Sequence, residues 1–313
     1  YKGQTNFTFA DKLKSPFLKE VFQLLYDNDE VDIMVIAVPM ASYDLESAGY
    51  PMGGSLAFAQ RIEKRYLETG GKIHYKTPVL KVVTDDKSVT SIIVRNNVIY
   101  ESDYLISAGD WHHTIFELLA GKFATPLQLD LKNLKKLQPF FSSIQASFGV
   151  NKDLTGRSHF SRFPLEENLV SPDGTVYERF EIHNYSYDPT MAPPGKTCLV
   201  TNFYTSKADY WIDHRKKNRT DYRALKSEFL NKCAAIVCKK LDLLPEDIEV
   251  MDLSTPATFH RYTGNWKGST QGWLAGKNLL APSPVKLRVP GLDNMFLCSH
   301  WNQPGGGLPI AIK

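Results

Sequence analysis

Three consecutive glycines, Gly305-Gly306-Gly307, stand between the apolar run Phe296-Leu297 and the pair Leu308-Pro309. That order predicts a strand, a turn and the opening of a helix, because glycine admits backbone that side chains forbid and proline suits a helix start. Bare N–H groups at such a turn, with the positive end of a helix behind them, can meet an anion or a planar ring. Lys313 follows after roughly one helical turn, and the chain opens on Tyr1 rather than Met, so the sequence reads as a piece of a longer protein.

Upstream, the hydrophobic period changes repeatedly. Phe17, Leu18, Val21, Phe22, Leu24 and Leu25 give a helical face between Pro16 and Tyr26, whereas Val31 to Met40 fits helix or strand equally. Gly49-Tyr50-Pro51-Met52-Gly53-Gly54-Ser55 is a turn leading into a helix, marked by Leu56, Ala59, Ile62, Tyr66 and Leu67 and stopped by Gly70-Gly71. From there the period is two. Ile73–Tyr75, Val79–Thr84, Val89–Val94 and Val98–Tyr100 read as strands, with hairpin turns at Asp85-Asp86-Lys87 and Asn96-Asn97. Tyr104 to Ser107 is a returning buried strand. In the middle of the chain, Phe140–Val150, Tyr177–Tyr187 and Thr197–Tyr204 alternate apolar and polar residues and predict an antiparallel sheet, followed by a helix at Tyr222–Leu241 and a strand at Ile248–Leu253.

The net charge of +3 over 313 residues, with no basic stripe of helix size, argues against a nucleic-acid partner. No apolar run reaches the length of a membrane span. Cys198, Cys233, Cys238 and Cys298 fit neither a zinc knuckle nor a CxxC pair, so reduced thiols and a cytoplasmic location are expected. Adjacent histidines such as His112-His113 point to different faces of a helix and form no metal site alone; they read as a loop or helix start. Arg215-Lys216-Lys217-Asn218-Arg219 after Tyr210-Trp211-Ile212 admits peripheral contact with an anionic membrane, although a solvated loop ahead of a helix is the favoured reading.

Taken in order, these segments resemble the phytoene desaturase family of FAD-dependent, amine-oxidase-like flavoproteins, which includes carotenoid isomerases and retinol saturases. The resemblance rests on Tyr50-Pro51-x-Gly53-Gly54-Ser55, Thr77-Pro78-Val79, Asp103-x-Leu105-Ile106-Ser107-Ala108, Ser254-Thr255-Pro256, His260-Arg261-Tyr262-Thr263-Gly264 and Val289-Pro290-Gly291 feeding the Pro304-to-Pro309 tail. It implies a mixed α/β fold: a partial Rossmann-like FAD-binding domain and a second domain of antiparallel sheet plus helices for the substrate. By this correspondence residues 1–48 are substrate-domain helices, 49–116 an FAD-domain segment, 117–289 the substrate domain and 290–313 a C-terminal FAD-domain segment. Gly53, Gly54, Val79, Ser299, Pro304, Gly305, Gly306, Gly307 and Leu308 fall at the family's cofactor-binding positions. His260, Arg261 and Tyr262 are the candidates for assisting proton transfer.

Two departures qualify the cofactor expectation. No Gly-x-Gly-x-x-Gly occurs in the chain, so the ADP half of FAD lacks its main cradle and FAD should be held weakly or not at all, leaving the chain alone inactive. Where related flavoenzymes have Gly-Asp, this chain has Cys298-Ser299-His300-Trp301, with no acid. The implied reaction is hydride transfer between flavin and a carbon–carbon unit of an apolar isoprenoid or lipid. Two alternatives stay open: an amine-oxidase-type flavoenzyme, and a protein that binds an apolar ligand without redox chemistry. The aromatic residues of the middle region, Phe140, Phe141, Phe148, Phe160, Phe163 and Phe180 among them, favour a sheet core over a tunnel lining. Oligomeric state is not legible.

Overall fold

The computed structural model describes residues 4–25, 32–134, 137–274 and 285–311. The chain opens with α1 (Asn6–Ala10), held by a capping box in which Thr5 Oγ1 accepts from Thr8 N at 3.2 Å while Thr5 N donates to Thr8 Oγ1 at 2.9 Å. Helix α2 (Pro16–Leu25) follows as its spacing predicts. The ambiguous apolar run resolves as α3 (Met34–Asp44), started by the Asp32 carboxylate accepting from Met34 N at 2.9 Å. Helix α4 (Gly54–Glu68) matches expectation, with Gly70 in the left-handed region just after it. Ile73–Tyr75, expected as a strand, is not one, because it finds no ladder partner among the described residues.

The meander is present as β1 (Val79–Thr84), β2 (Val89–Val94) and β3 (Ile99–Glu101), paired antiparallel in that order. Asp85 builds the first turn by accepting from Lys87 N and Ser88 N at 2.9 and 2.7 Å. Asn96 and Asn97 supply the second with φ of 65° and 57°. Strand β4 (Leu105–Ser107) then precedes a helical segment running to Leu118, whose part from His113 is π-helical, and α5 (Pro126–Lys132). Strands β5 (Ser142–Val150), β6 (Phe160–Val170), β7 (Val176–Asn184), β8 (Thr197–Thr205) and β9 (Ile248–Ser254) are joined by α6 (Ala208–Lys217) and α7 (Arg219–Leu241). The chain closes with α8 (Pro256–Thr263), β10 (Met295–Leu297) and α9 (Leu308–Ala311).

Contacts divide the chain into two compact units. The first holds Tyr1–Ala48, His74–Phe141 and Thr263–Lys313; the second holds Gly49–Ile73 and Ser142–Tyr262. Helix α4 thus groups with the large sheet. In the first unit β10 runs parallel to β4, residue Met295 beside Leu105 and Leu297 beside Ser107. Asn294 locks this pair to the meander: its Oδ1 accepts from Val89 N at 2.7 Å, and its Nδ2 donates to Val89 O and Asp103 O at 2.9 and 2.8 Å. Trp111, Ile115, Leu131, Trp273, Val289 and Trp301 lie at the heart of this unit's core.

In the second unit the antiparallel sheet has the order β6-β7-β8-β5-β9. Alternation along β5 sends Ile144, Ala146, Phe148 and Val150 to one face, where they meet Phe229, Cys233 and Val237 of α7. Each large side chain buried there contributes about 1.5–3 kcal/mol. Strand β6 was not expected from sequence, because Pro164 and Glu166-Glu167-Asn168 break the alternation. It lies at the sheet edge, where proline is tolerated. The stretch expected as a solvated loop is α6, and Trp211 is fully buried and bonded to Asp173, so it is no membrane anchor. The basic residues Arg215, Lys216 and Lys217 fill the last turn of α6, where they favour the helix dipole. Among the described residues no helix is long and apolar enough to cross a membrane.

Candidate functional site

Ligands of open parallel sheets collect beyond the carboxyl ends of the strands. Here those ends are Ser107 of β4 and Leu297 of β10, clamped by Cys298 N donating to Ser107 O at 2.9 Å. After β4 the chain turns through Gly109 into buried Asp110. Its carboxylate accepts from His113 N and from Trp266 N, both at 2.8 Å, so it starts the helical segment and ties down the loop after α8. Burial raises the Asp110 pKa, against the opposing pull of those two N–H groups.

After β10, Ser299 Oγ accepts from Trp301 N at 3.3 Å and Asn302 Nδ2 donates to Leu297 O at 2.9 Å, which closes one 3₁₀ turn. Gly305, Gly306 and Gly307 then follow with φ of 95°, 52° and 77°, a run that side chains would strain at every position. The tail lies directly on the segment Gln271–Trp273. A Cβ on Gly306 would stand 1.8 Å from Gln271 O, and one on Gly272 would stand 2.7 Å from His300 O. Gly305 N donates to Trp273 O and Gly306 N to Gln303 O, both at 3.3 Å. Two of the three glycine donors are therefore engaged within the chain. The N–H groups of Gly307 and Leu308 make no hydrogen bond among the described residues, and they open α9.

Behind this turn stand four of the five tryptophans. Trp111, Trp273 and Trp301 are fully buried, and Trp266 is half-buried. Ring centroids are 5.2 Å apart for Trp111 and Trp273, 5.1 Å for Trp273 and Trp301, and 6.0 Å for Trp111 and Trp266. His112 stacks on Trp266 at 4.7 Å with planes 7° apart. Burial, with a smaller contribution from Lys132, lowers its pKa to about 4. His300 is also shifted down by burial; its Nε2 lies 3.3 Å from Asn265 Oδ1, which also accepts from Trp301 Nε1 at 3.3 Å. Both imidazoles are thus neutral at neutral pH.

The first unit therefore brings together Ser299, Pro304, Gly305, Gly306, Gly307 and Leu308, while Val79 stands at the start of β1 opposite Val94. Gly53, Gly54, His260, Arg261 and Tyr262 belong to the second unit. Gly53 and Gly54 have φ of 90° and 70°, and Gly53 N donates to Asp188 Oδ2 at 2.8 Å. Asp188 also accepts from Thr190 N and Thr190 Oγ1 at 3.0 and 2.7 Å; the Thr190 hydroxyl is the main cause of its lowered pKa. The start of α4 already holds a carboxylate of its own chain. On α8, the Arg261 guanidinium lies 4.2 Å from the centroid of the exposed Tyr262 ring, and His260 is half-buried. Sequence reasoning passed over Asp110, Asp188, Asn265 and Trp273; only Asp110, just ahead of a helix start, carried a local signal.

No family model matches the chain. It is 24% identical over 307 residues to 4,4'-diaponeurosporene oxygenase of Staphylococcus haemolyticus, an alignment covering 94% of this chain and 57% of that protein. Prolycopene isomerase of Daucus carota is 28% identical over 271 residues, covering 84% and 42%. The chain spans about half the length of the curated relatives it matches. Among solved structures, a putrescine oxidase variant superposes with a TM-score of 0.56 at 11% identity, over 96% of this chain and 64% of that one, a likeness of fold. In sequence the chain is similar to carotenoid oxygenases, isomerases and desaturases, and its mixed α/β fold is like that of solved oxidoreductases.

Proposed function

We propose that the chain is part of an FAD-dependent oxidoreductase that moves hydride equivalents between the flavin and a carbon–carbon unit of an apolar isoprenoid or lipid. The observation that carries this reading is the turn beyond β4 and β10. Three consecutive left-handed glycines there present the N–H groups of Gly307 and Leu308 with no Cβ in the way. Such donors suit the acceptor edge of a flavin or its phosphates, and the Ser299 hydroxyl keeps a proton to donate. Flavin, when bound, supplies the hydride-accepting centre. The chain would orient it through Ser299, Gly307 and Leu308, while the tryptophan cluster and the neutral His112 and His300 keep water from the turn's inner side. His260, Arg261 and Tyr262 remain the proposed proton-handling group. Residues 49–116 and 290–313 would serve the cofactor, and 1–48 with 117–289 the substrate. Weak retention of FAD by this chain follows from the absence of Gly-x-Gly-x-x-Gly within it. The names of the relatives support an apolar polyene as substrate and leave the direction of the reaction open.

The test is anaerobic mixing of the protein, made from its natural reading frame and loaded with FAD, with a panel of isoprenoids and of primary amines. Bleaching of the oxidised flavin band by an isoprenoid, or its return when an isoprenoid is added to the reduced flavin, is expected. Bleaching by amines alone would replace the substrate assignment, and no FAD uptake would sink the redox reading.

A further inference from the structure

The second unit carries a cavity that the proposed chemistry leaves unused. Pairing between β6 and β7 runs from Phe160 beside His183 to Pro164 beside Arg179, then resumes only at Leu169 beside Tyr177. Leu165–Asn168 therefore swing off the ladder as a wide bulge of an edge strand, helped by the missing N–H of Pro164. Between this bulge and the outer face of α7 lies a cavity of about 910 Å³, within the size range of small-molecule sites. Its apolar lining includes Phe163, Leu165 and Ile236, which are half-buried, Leu169, which is buried, and the small side chain of Ala235.

The mouth is charged, and unevenly so. Lys239 pairs with Glu166 at 2.6 Å and Lys232 with Glu228 at 2.7 Å. Lys240 instead has its ammonium 4.4 Å from the centroid of the Phe163 ring, and no carboxylate among the described residues lies within ion-pair distance. A wholly apolar ligand would leave this cation without an anion. A small free anion would leave the apolar walls bare. Glu166 and Glu167 on the lip disfavour a headgroup of multiple negative charge. We infer that this groove binds an anionic amphiphile with a single acyl chain, its carboxylate on Lys240 and its chain along Phe163, Leu165 and Ile236. The site lies within the second unit and does not depend on the flavin reading.

Isothermal titration of the whole chain with sodium oleate below its micelle concentration, with oleyl alcohol and with sodium acetate tests this. One oleate per chain is expected, with the alcohol and acetate binding about tenfold more weakly or worse, as for a lost charged hydrogen bond or a lost apolar contact. Lys240→Glu should weaken oleate about tenfold or more, and Ala235→Trp should fill the groove and abolish binding. Both positions are exposed, so far-UV ellipticity should hold; should the tryptophan variant lose it, Lys240→Glu decides alone. Absence of oleate binding, equal binding of oleate and its alcohol, or unchanged affinity in Lys240→Glu would each overturn the inference.

Discussion

Asp173 is the most heavily hydrogen-bonded carboxylate of the second unit. It accepts from Ser171 Oγ at 2.6 Å, Thr175 N at 2.9 Å, Thr205 Oγ1 at 2.8 Å and Trp211 Nε1 at 2.8 Å. Burial by itself would raise its pKa, but these donors, Ser171 first, leave it lowered overall. An acid lowered by folding stabilises the native state above its unfolded pKa and stops doing so as pH falls through the folded one. Asp173→Asn should therefore cost about 2 kcal/mol at neutral pH, read from urea unfolding, and the loss should shrink under acid. His112 works in the same direction by a different route. Its pKa falls from 6.5 to about 4, so protonation favours the unfolded chain between those values. A melting temperature that declines from pH 6.5 toward pH 4, and declines less in His112→Phe, is expected; parallel profiles would refute it. Little of this was legible in sequence. Trp266, Gly53 and Trp211 lie 156, 135 and 38 residues from the carboxylates that hold them. The glycine tail was legible because positive φ is a local demand, whereas the engagement of the Gly305 donor by Trp273 is a matter of packing.

Elements declared themselves where apolar residues keep a regular period. The periodicity of α2, α4 and α7 and the alternation of β5, β7 and β8 matched the structure. The apolar run containing α3 stayed ambiguous because helix and buried strand share that signature. Strand β6 escaped notice because an edge strand with a bulge need not alternate, and α6 because charges at a helix end resemble a loop. Helix α7 ends on Asp242 in the left-handed region at φ 56°. Asp242→Gly should raise stability by about 0.5–1 kcal/mol, measurable in urea, since glycine lacks the Cβ that disfavours this conformation. Helix α4 shows the opposite imbalance. Leu56, Ile62, Tyr66 and Leu67 repeat at helical spacing yet are all exposed. Ile62→Lys should change the stability of this chain by less than about 0.5 kcal/mol and raise its solubility; a larger loss would mean that this face is covered in solution.

Across the whole molecule the two cores share no residue, and the chain passes between the units at four points. Four of the five tryptophans belong to the first unit, whereas the large sheet belongs to the second. Tryptophan emission and far-UV ellipticity should accordingly report different urea midpoints, and coincident curves would show one cooperative block. The parallel pair β4 and β10 adds a demand in time. Met295 reaches its partner Leu105 only after 190 further residues (295 − 105) have been made. At the pace of translation that is on the order of ten to forty seconds. During this interval the nascent chain carries Ile106 and its neighbours without the strand that pairs with them among the described residues, so shielding of that edge during synthesis is expected to raise the yield of native protein.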